Sequence, residues 1–182
     1  MNVSSILRLG SSTIVEVIGD PTNGFNAALI QAAADNGVNA FEIDFSRKSR
    51  NFFKSNFGIL DLLENDGADL PAICLYEDGD ENVNLLTSNI FSGTLRWRID
   101  VHLSWSNNDM AQDLDGLRYA VHDALVNVVN SEAAMEIWQT TTGLAFNGGV
   151  GLGGLGPLHW SPDQNLWIQT MPFWIRMVAN VN

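Results

Sequence analysis

The sequence predicts an α+β protein in which a sheet carries helices on one face. The prediction depends on a single change of hydrophobic period. Residues 94–105 alternate apolar and polar side chains, which is typical of a half-buried strand. In residues 111–129 the apolar side chains recur at helical spacing, after a turn and an acidic first turn. Because neither apolar stripe can be buried alone, we expect this helix to cover the apolar face of a central strand.

Residues 1–50 are predicted to hold three short elements. The β-branched run 14–18 ends at a Gly-Asp-Pro turn and indicates a strand. Residues 25–35 indicate a short helix that stops at Asn36-Gly37. Residues 38–45 alternate only in part, and this pattern favours a strand over a helix.

Three further elements precede the central strand. Residues 51–64 have apolar side chains at helical spacing, although Gly58 weakens a helix there by up to about 1 kcal/mol. Residues 70–76 indicate a strand that begins at a proline, and residues 77–81 indicate an exposed acidic turn. Residues 84–91 are expected to lead back to the central strand.

After the central helix, residues 131–139 favour a short helical extension, and residues 165–180 alternate as a long last strand. Pro172 has no backbone N–H, so we expect this strand at a sheet edge, or the proline facing outward at a bulge. An outward Trp174 or Trp167 on such a strand would leave an adhesive surface, which favours self-association.

Residues 143–156 are glycine-rich, and we expect a mobile loop that becomes ordered against a neighbouring subunit. The apolar residues expected to be buried on assembly are Leu144, Phe146, Val150, Leu152 and Leu155. The competing interpretation is a plain spacer that tolerates any flexible sequence. Residues 151–156 match the spacing of a dinucleotide-binding loop, but a proline and a predicted strand follow where that loop needs a helix, so no cofactor is predicted.

The chain of 182 residues is 46% hydrophobic, so we expect one domain with a sizeable core. Its single cysteine, Cys74, lies in an apolar run and is expected to pack as a small buried hydrophobe. No apolar run reaches the roughly 18 residues that a membrane span needs, and no signal-like segment follows Met1. These features favour a cytosolic protein without a membrane partner.

The formal net charge of −12 makes a general nucleic-acid-binding protein an unfavoured class. One short stretch differs from the rest because basic and aromatic residues alternate in it. Its members are Arg47, Lys48, Arg50 and Lys54 with Phe45, Phe52, Phe53 and Phe57. Such a stretch could bind single-stranded nucleic acid by stacking and charge neutralisation. The alternative is a solvated surface whose phenylalanines point into the core, and the sequence favours it.

Catalytic and metal-binding patterns are weak. His102, His122 and His159 have no paired metal-ligand spacing, and the acidic runs at 80–84 and 113–116 lack the glutamate that closes a calcium loop. No nucleophile elbow is present either. We therefore expect no enzymatic activity and no metal.

The element order resembles that of the tail terminator or tail-completion (neck) proteins of tailed bacteriophages. The order that carries the resemblance is a helix over residues 51–64, the Leu70-Pro71-Ala72-Ile73 strand, the acidic turn, the Gly93-Thr94-Leu95-Arg96-Trp97 strand, the helix of residues 113–129 and the long final strand. The resemblance implies a mostly antiparallel sheet with helices packed on one face. The resemblance covers about residues 51–182, and residues 1–50 look like an N-terminal extension. It rests on element order and patterning, so it is an associational argument.

The resemblance implies a structural virion protein that is assembled in the host cytoplasm and forms a homo-oligomeric ring. That ring would terminate the tail tube and contact the head–tail connector, and acidic lumen walls would let DNA pass without adhering. A hexamer is one ring size that fits, although the sequence does not set the number of subunits. Two alternatives stay open at this point: another neck or tail-tube component, and a single-stranded nucleic-acid-binding accessory protein that uses residues 45–57.

Overall fold

The computed structural model describes residues 3–54, 68–87, 90–104, 114–140, 144–145, 150–156, 158–161 and 166–180. Within these ranges the chain is an α+β protein of four helices and one seven-stranded sheet. The helices are α1 (Val3–Ile18), α2 (Phe25–Asp35), α3 (Leu114–Val129) and α4 (Glu132–Thr140). The strands are β1 (Phe52–Phe53), β2 (Ala72–Thr87), β3 (Ile90–Ser104), β4 (Leu144–Ala145), β5 (Val150–Leu152), β6 (Leu158–Ser161) and β7 (Leu166–Asn180).

The sheet has the strand order β1-β2-β3-β7-β4, and β5 and β6 also pair with β7. Every pairing is antiparallel except the short parallel contact between β1 and β2. β3 pairs with β2 on one side and with the whole of β7 on the other, from Ile90 opposite Asn180 to Ser104 opposite Leu166. The predicted central strand is therefore confirmed, apart from Trp105, which lies outside the described residues.

One face of the sheet packs against the helices and forms the main core. The predicted apolar stripe of β3 is fully buried there, and the same core contains apolar residues of β7 and α3. The buried strand residues on this face are Ile73, Leu75, Leu95, Trp97, Ile99, Val101, Leu103, Met171, Phe173 and Ile175. The indole of Trp97 also meets α1, because its Nε1 donates a hydrogen bond of 2.8 Å to the Ser11 Oγ.

The prediction of a strand at residues 14–18 is wrong, because these residues form the last turns of α1. Ile14, Val17 and Ile18 are buried while Glu16 is exposed, which is a helical pattern of burial. The β-branched side chains raise strand propensity only weakly, and burial of one helix face against the sheet outweighs it.

Residues of the predicted N-terminal extension, 1–50, contribute to the main core. The described part of this region contributes Ile14, Phe25, Leu29 and Ile43 to the same buried cluster as the central strand. The predicted helix at residues 25–35 is confirmed as α2, and it ends where expected, with Gly37 at a φ of +70°.

Residues 38–45 form no regular strand, which contradicts the sequence-based expectation. The side chain of Asn26 on α2 occupies the place of a neighbouring strand. Its Nδ2 donates to the Ile43 carbonyl at 2.8 Å, and its Oδ1 accepts from the Ile43 N–H at 2.9 Å. Both backbone groups of Ile43 are thereby satisfied inside the core without a ladder.

Two predictions around β1 and β2 also need correction. The helix expected over residues 51–64 is wrong at Phe52 and Phe53, which form β1, while residues 55–64 lie outside the described ranges. The acidic turn expected at residues 77–81 is wrong because β2 continues to Thr87, with shifts of register between Glu77 and Gly79 and again further on. Bulges of this kind let an acidic, glycine-containing segment remain in a strand. The strand beginning near residue 70 and the helix after residue 131 are confirmed.

Candidate interaction surfaces

The glycine-rich segment 143–156 lies along β7 in its described parts. Leu144 pairs with Ala179 in β4, and Val150, Gly151 and Leu152 pair with residues 173–175 in β5. Beyond β5, the Gly153 N–H donates to the Pro172 carbonyl at 2.7 Å, and the Gly156 N–H donates to the Thr170 carbonyl at 3.1 Å. The prediction of a mobile loop is therefore wrong for these residues, and Phe146 lies outside the description.

Three apolar residues of this segment pack against the subunit's own core. Val150, Leu152 and Leu155 are half-buried and pack against the main cluster. Replacing these three residues by serine is therefore expected to weaken the fold. The docking-loop hypothesis loses its main physical basis, which was that these side chains stay in water.

A buried polar network fastens the same segment to α3. Gln169 on β7 is only 1% exposed, and its Oε1 accepts a 2.7 Å hydrogen bond from the Arg118 Nε. Its Nε2 donates to the carbonyls of Gly156 (2.8 Å) and Thr170 (3.1 Å). A ring nitrogen of His122 lies 3.2 Å from the Gly153 carbonyl. The polar groups of the network thus hold the glycine segment between α3 and β7.

Pro172 lies inside the sheet rather than in an edge strand, so the edge prediction for β7 is wrong. Toward β3 the proline is opposite Arg98, and on its other side its carbonyl accepts from Gly153. Backbone N–H and C=O groups of one strand residue point to the same side. The missing N–H therefore points toward the gap between the end of β5 and the start of β6, where no ladder bond is lost.

The open face is the name we give to the face of β2, β3 and β7 that points away from the helices. Its side chains include Tyr76, Arg96, Arg98, Asp100, His102, Thr170, Pro172 and Trp174. Pro172 is exposed and Trp174 is 37% exposed, which confirms the outward tryptophan. The indole of Trp174 lies against Gly151 of β5, where an added Cβ would clash with the ring. This face thus presents an apolar surface in the middle of the longest strands.

Charged and hydroxyl groups form a row across the rest of the open face. The Tyr76 hydroxyl donates to Asp100 Oδ2 at 2.7 Å, and the Arg98 guanidinium pairs with Asp78 at 2.8 Å. Burial raises the pKa of Tyr76, and its hydrogen bond to Asp100 raises it further. Burial also lowers the pKa of His102 to about 4, against a smaller opposing effect of Asp100. His102 is therefore neutral at pH 7.

Cys74 lies on the same face and is buried, as the sequence predicts. Burial raises the pKa of its thiol to about 12, and the nearby Asp100 carboxylate adds to the shift. The thiolate is the reactive form of cysteine, so this side chain is a poor nucleophile at neutral pH. Among the described residues, no three histidine, cysteine or acidic side chains come together as a metal site.

The basic–aromatic stretch is divided between the core and the surface. Phe52 is buried and Phe45 is half-buried against it, with ring centroids 4.9 Å apart. Both rings contact the main core, which reduces the surface that they could offer to stacked bases. Arg47 and Lys48 are exposed, and Arg50 pairs with Asp69 at 3.1 Å.

The basic side chains nevertheless line surface clefts. A cleft of about 650 Å³ is bordered by Arg47, Lys54 and the edges of the three phenylalanines 45, 52 and 53. A second cleft of about 500 Å³ shares Lys54 and reaches Arg8 on α1. The sequence gives no sign that Arg8 belongs to this surface, because 46 residues separate it from Lys54 and α1 was not predicted as a helix.

Comparison with known proteins adds no family assignment: no family model matches the chain, and no curated protein matches it in sequence. Within the described residues, each helix is too short or too polar to cross a bilayer. The functional argument therefore depends on the surfaces of the sheet and on the resemblance in element order.

Proposed function

We propose that this protein is a structural component of a tailed-bacteriophage virion, which forms a ring that terminates the tail tube and joins it to the head connector. The observation that carries the proposal is the outward Trp174 beside the exposed Pro172, at the centre of the open face. Exposed apolar surface in the middle of a sheet is typical of an interface. The α+β fold, with helices against one face of a mostly antiparallel sheet, is the fold that the resemblance implies, although the acidic turn of that element order lies within β2.

The role is structural rather than catalytic in this proposal. Cys74 is held as a buried neutral thiol, and His102 as a buried neutral imidazole, and neither lines a described cleft. The acidic balance of 21 carboxylates against nine basic residues suits a lumen through which DNA passes without adhering. Virion localisation and the contacts with tube and connector are parts of the same proposal.

The test is assembly of the purified chain, alone and mixed with phage tail tubes, followed by light scattering and negative-stain imaging. Rings, or caps on tube ends, are the expected result. Trp174→Ser is expected to remain folded and to lose assembly. Ile30→Ser is the matched control, because Ile30 is 66% exposed on α2, in the helical layer. A strict monomer that binds no tubes at any accessible concentration would remove the proposal.

The purified protein, alone and mixed with tail tubes, also distinguishes the proposed function from its two alternatives. Incorporation along the tube rather than at its end would identify another tail component. Salt-dependent binding of single-stranded DNA by a monomer would instead support the nucleic-acid-binding alternative. The engagement of Phe45 and Phe52 in the core counts against that alternative.

A further inference from the structure

A groove runs between helix α1 and the outer edge of strand β2. It has a volume of about 500 Å³. One wall is formed by Arg8, Ser11 and Ser12 of α1 together with Lys54, and the other wall by Leu75, Tyr76 and Glu77 of β2. Ser11 also accepts the hydrogen bond from Trp97, so this wall is fixed to the core.

The β2 edge in this groove is open in the part of the chain that the structure describes. β1 pairs with β2 only at Ile73 and Cys74, and no other described strand lies on that side. The Ile73 N–H donates to the Asn51 carbonyl at 2.8 Å, so alternate residues of β2 direct their backbone groups to this side. The N–H and C=O of Glu77 therefore point into the groove, where an added strand could bond them.

The groove is also the positive region of an acidic protein. Arg8 and Lys54 are exposed, and the neighbouring cleft adds Arg47, so three of the nine basic residues border this surface. Among the described residues that line the groove, Glu77 is the one acidic residue. Copies of a chain with a net charge of −12 repel one another, except where a basic surface of one meets an acidic segment of another.

We infer that this groove receives an extended, acidic segment of a second copy of the chain, which adds as a strand beside β2. The inference rests on the proposed ring and names the contact between its subunits. The groove and the segment are different parts of the chain, so the contact is head-to-tail, as a closed ring requires. Two β2 edges do not pair with each other in this arrangement, because Glu77 and Asp78 of the two copies would meet as like charges.

The first test compares Lys54→Glu with Lys48→Glu in the full-length protein. Both lysines are exposed and the charge change is identical, but only Lys54 lines the groove. Self-association is measured by sedimentation at several protein concentrations, and melting curves establish that both variants are folded. We expect the dissociation constant to rise at least tenfold for Lys54→Glu and less than twofold for Lys48→Glu. Equal effects of the two substitutions would overturn the inference.

A second test identifies the occupant. A zero-length carbodiimide crosslinker is applied to a mixture of ¹⁴N- and ¹⁵N-labelled protein, and crosslinked peptides are analysed by mass spectrometry. We expect Lys54 to join acidic residues of the other isotopic form, and the Glu77 amide to gain protection from hydrogen exchange on assembly. Rings that form with no Lys54 crosslink and an unprotected Glu77 amide would remove the groove contact and leave the proposed function standing. A wild-type protein that stays monomeric would overturn both.

Discussion

The two faces of the sheet differ in how they accommodate buried polar groups. On the helix-facing side, Gln169 is 1% exposed and makes three hydrogen bonds, which tie α3, β7 and the glycine segment together. On the open face, His102 is 7% exposed, and its Nδ1 has no hydrogen-bond partner among the described residues, nor does the buried Oδ1 of Asp100. A fully bonded polar group fixes geometry, whereas a buried histidine makes stability depend on pH, because burial disfavours its charged form.

The largest expected effect on stability comes from making the same substitution at one tryptophan on each face of the sheet. Trp97→Asp places an unpaired charge at a fully buried position of the helix-facing side, and we expect the domain to unfold. Trp174→Asp makes the same change on the open face, where the side chain is 37% exposed, and is expected to cost less than about 2 kcal/mol. Thermal melting followed by circular dichroism measures both. A Trp97→Asp variant with the wild-type melting temperature would contradict the assignment of the core.

The next largest effect is on the pH dependence of stability, through His102 on the open face. In the unfolded chain His102 binds a proton near its ordinary pKa of 6.5, but the folded state does not until about pH 4. Stability from this group is therefore fully present above pH 6.5 and is lost as pH falls toward 4, by up to about 3 kcal/mol. Urea unfolding at pH 7 and pH 4.5 should show a smaller loss in His102→Gln than in the wild type. An equal loss in both proteins would mean that His102 is accessible to protons.

A smaller effect is expected from the polar network on the helix-facing side. Gln169→Leu leaves the Arg118 Nε and the Gly156 carbonyl without this partner, and we expect a loss of about 2 kcal/mol in the free energy of unfolding. Thr170→Val, one residue along on the opposite face, is the control and should cost less than about 1 kcal/mol. If urea unfolding ranks the two variants the other way, the network does not fasten the glycine segment.

The smallest effect tests the contact between β5 and the open face. Gly151→Ala brings a methyl group against the Trp174 indole, and we expect a loss of about 1 kcal/mol. In a Trp174→Ala background the ring is absent, so the same alanine should cost almost nothing. A double-mutant cycle of urea unfolding measures this coupling. Additive effects of the two substitutions would show that Gly151 has another role.

The sequence predicts the elements in which the local hydrophobic pattern itself determines which side chains are buried. The alternation in residues 94–105 is set by burial of every second side chain, so β3 and its buried face could be inferred. The long β7 and the helix α3 follow for the same reason. The glycine segment could not be predicted, because its order depends on backbone bonds from Gly153 and Gly156 to β7 and on packing of its apolar side chains against a core built from other parts of the chain.

Elements that depend on distant partners were predicted wrongly or missed. Residues 14–18 have a local preference for strand, but the sheet buries one face of a helix there. Residues 38–45 lack a ladder because the Asn26 amide substitutes for it. The proposed groove combines Arg8 with Lys54, and only the placement of α1 beside β2 brings them together. Of the candidate surface, the outward Trp174 alone followed from periodicity.

The pairing of β3 with β7 has a consequence for synthesis of the chain. β7 lies between β3 and the short strands β4, β5 and β6, yet it is the last of these to leave the ribosome. Until residues 166–180 have emerged from the ribosome, the edge of β3 that pairs with β7 has no partner. The incomplete core then exposes apolar surface. The sheet is therefore expected to be completed only after residues 166–180 have emerged, and nascent chains that stall before residue 166 are expected to recruit chaperones or to aggregate.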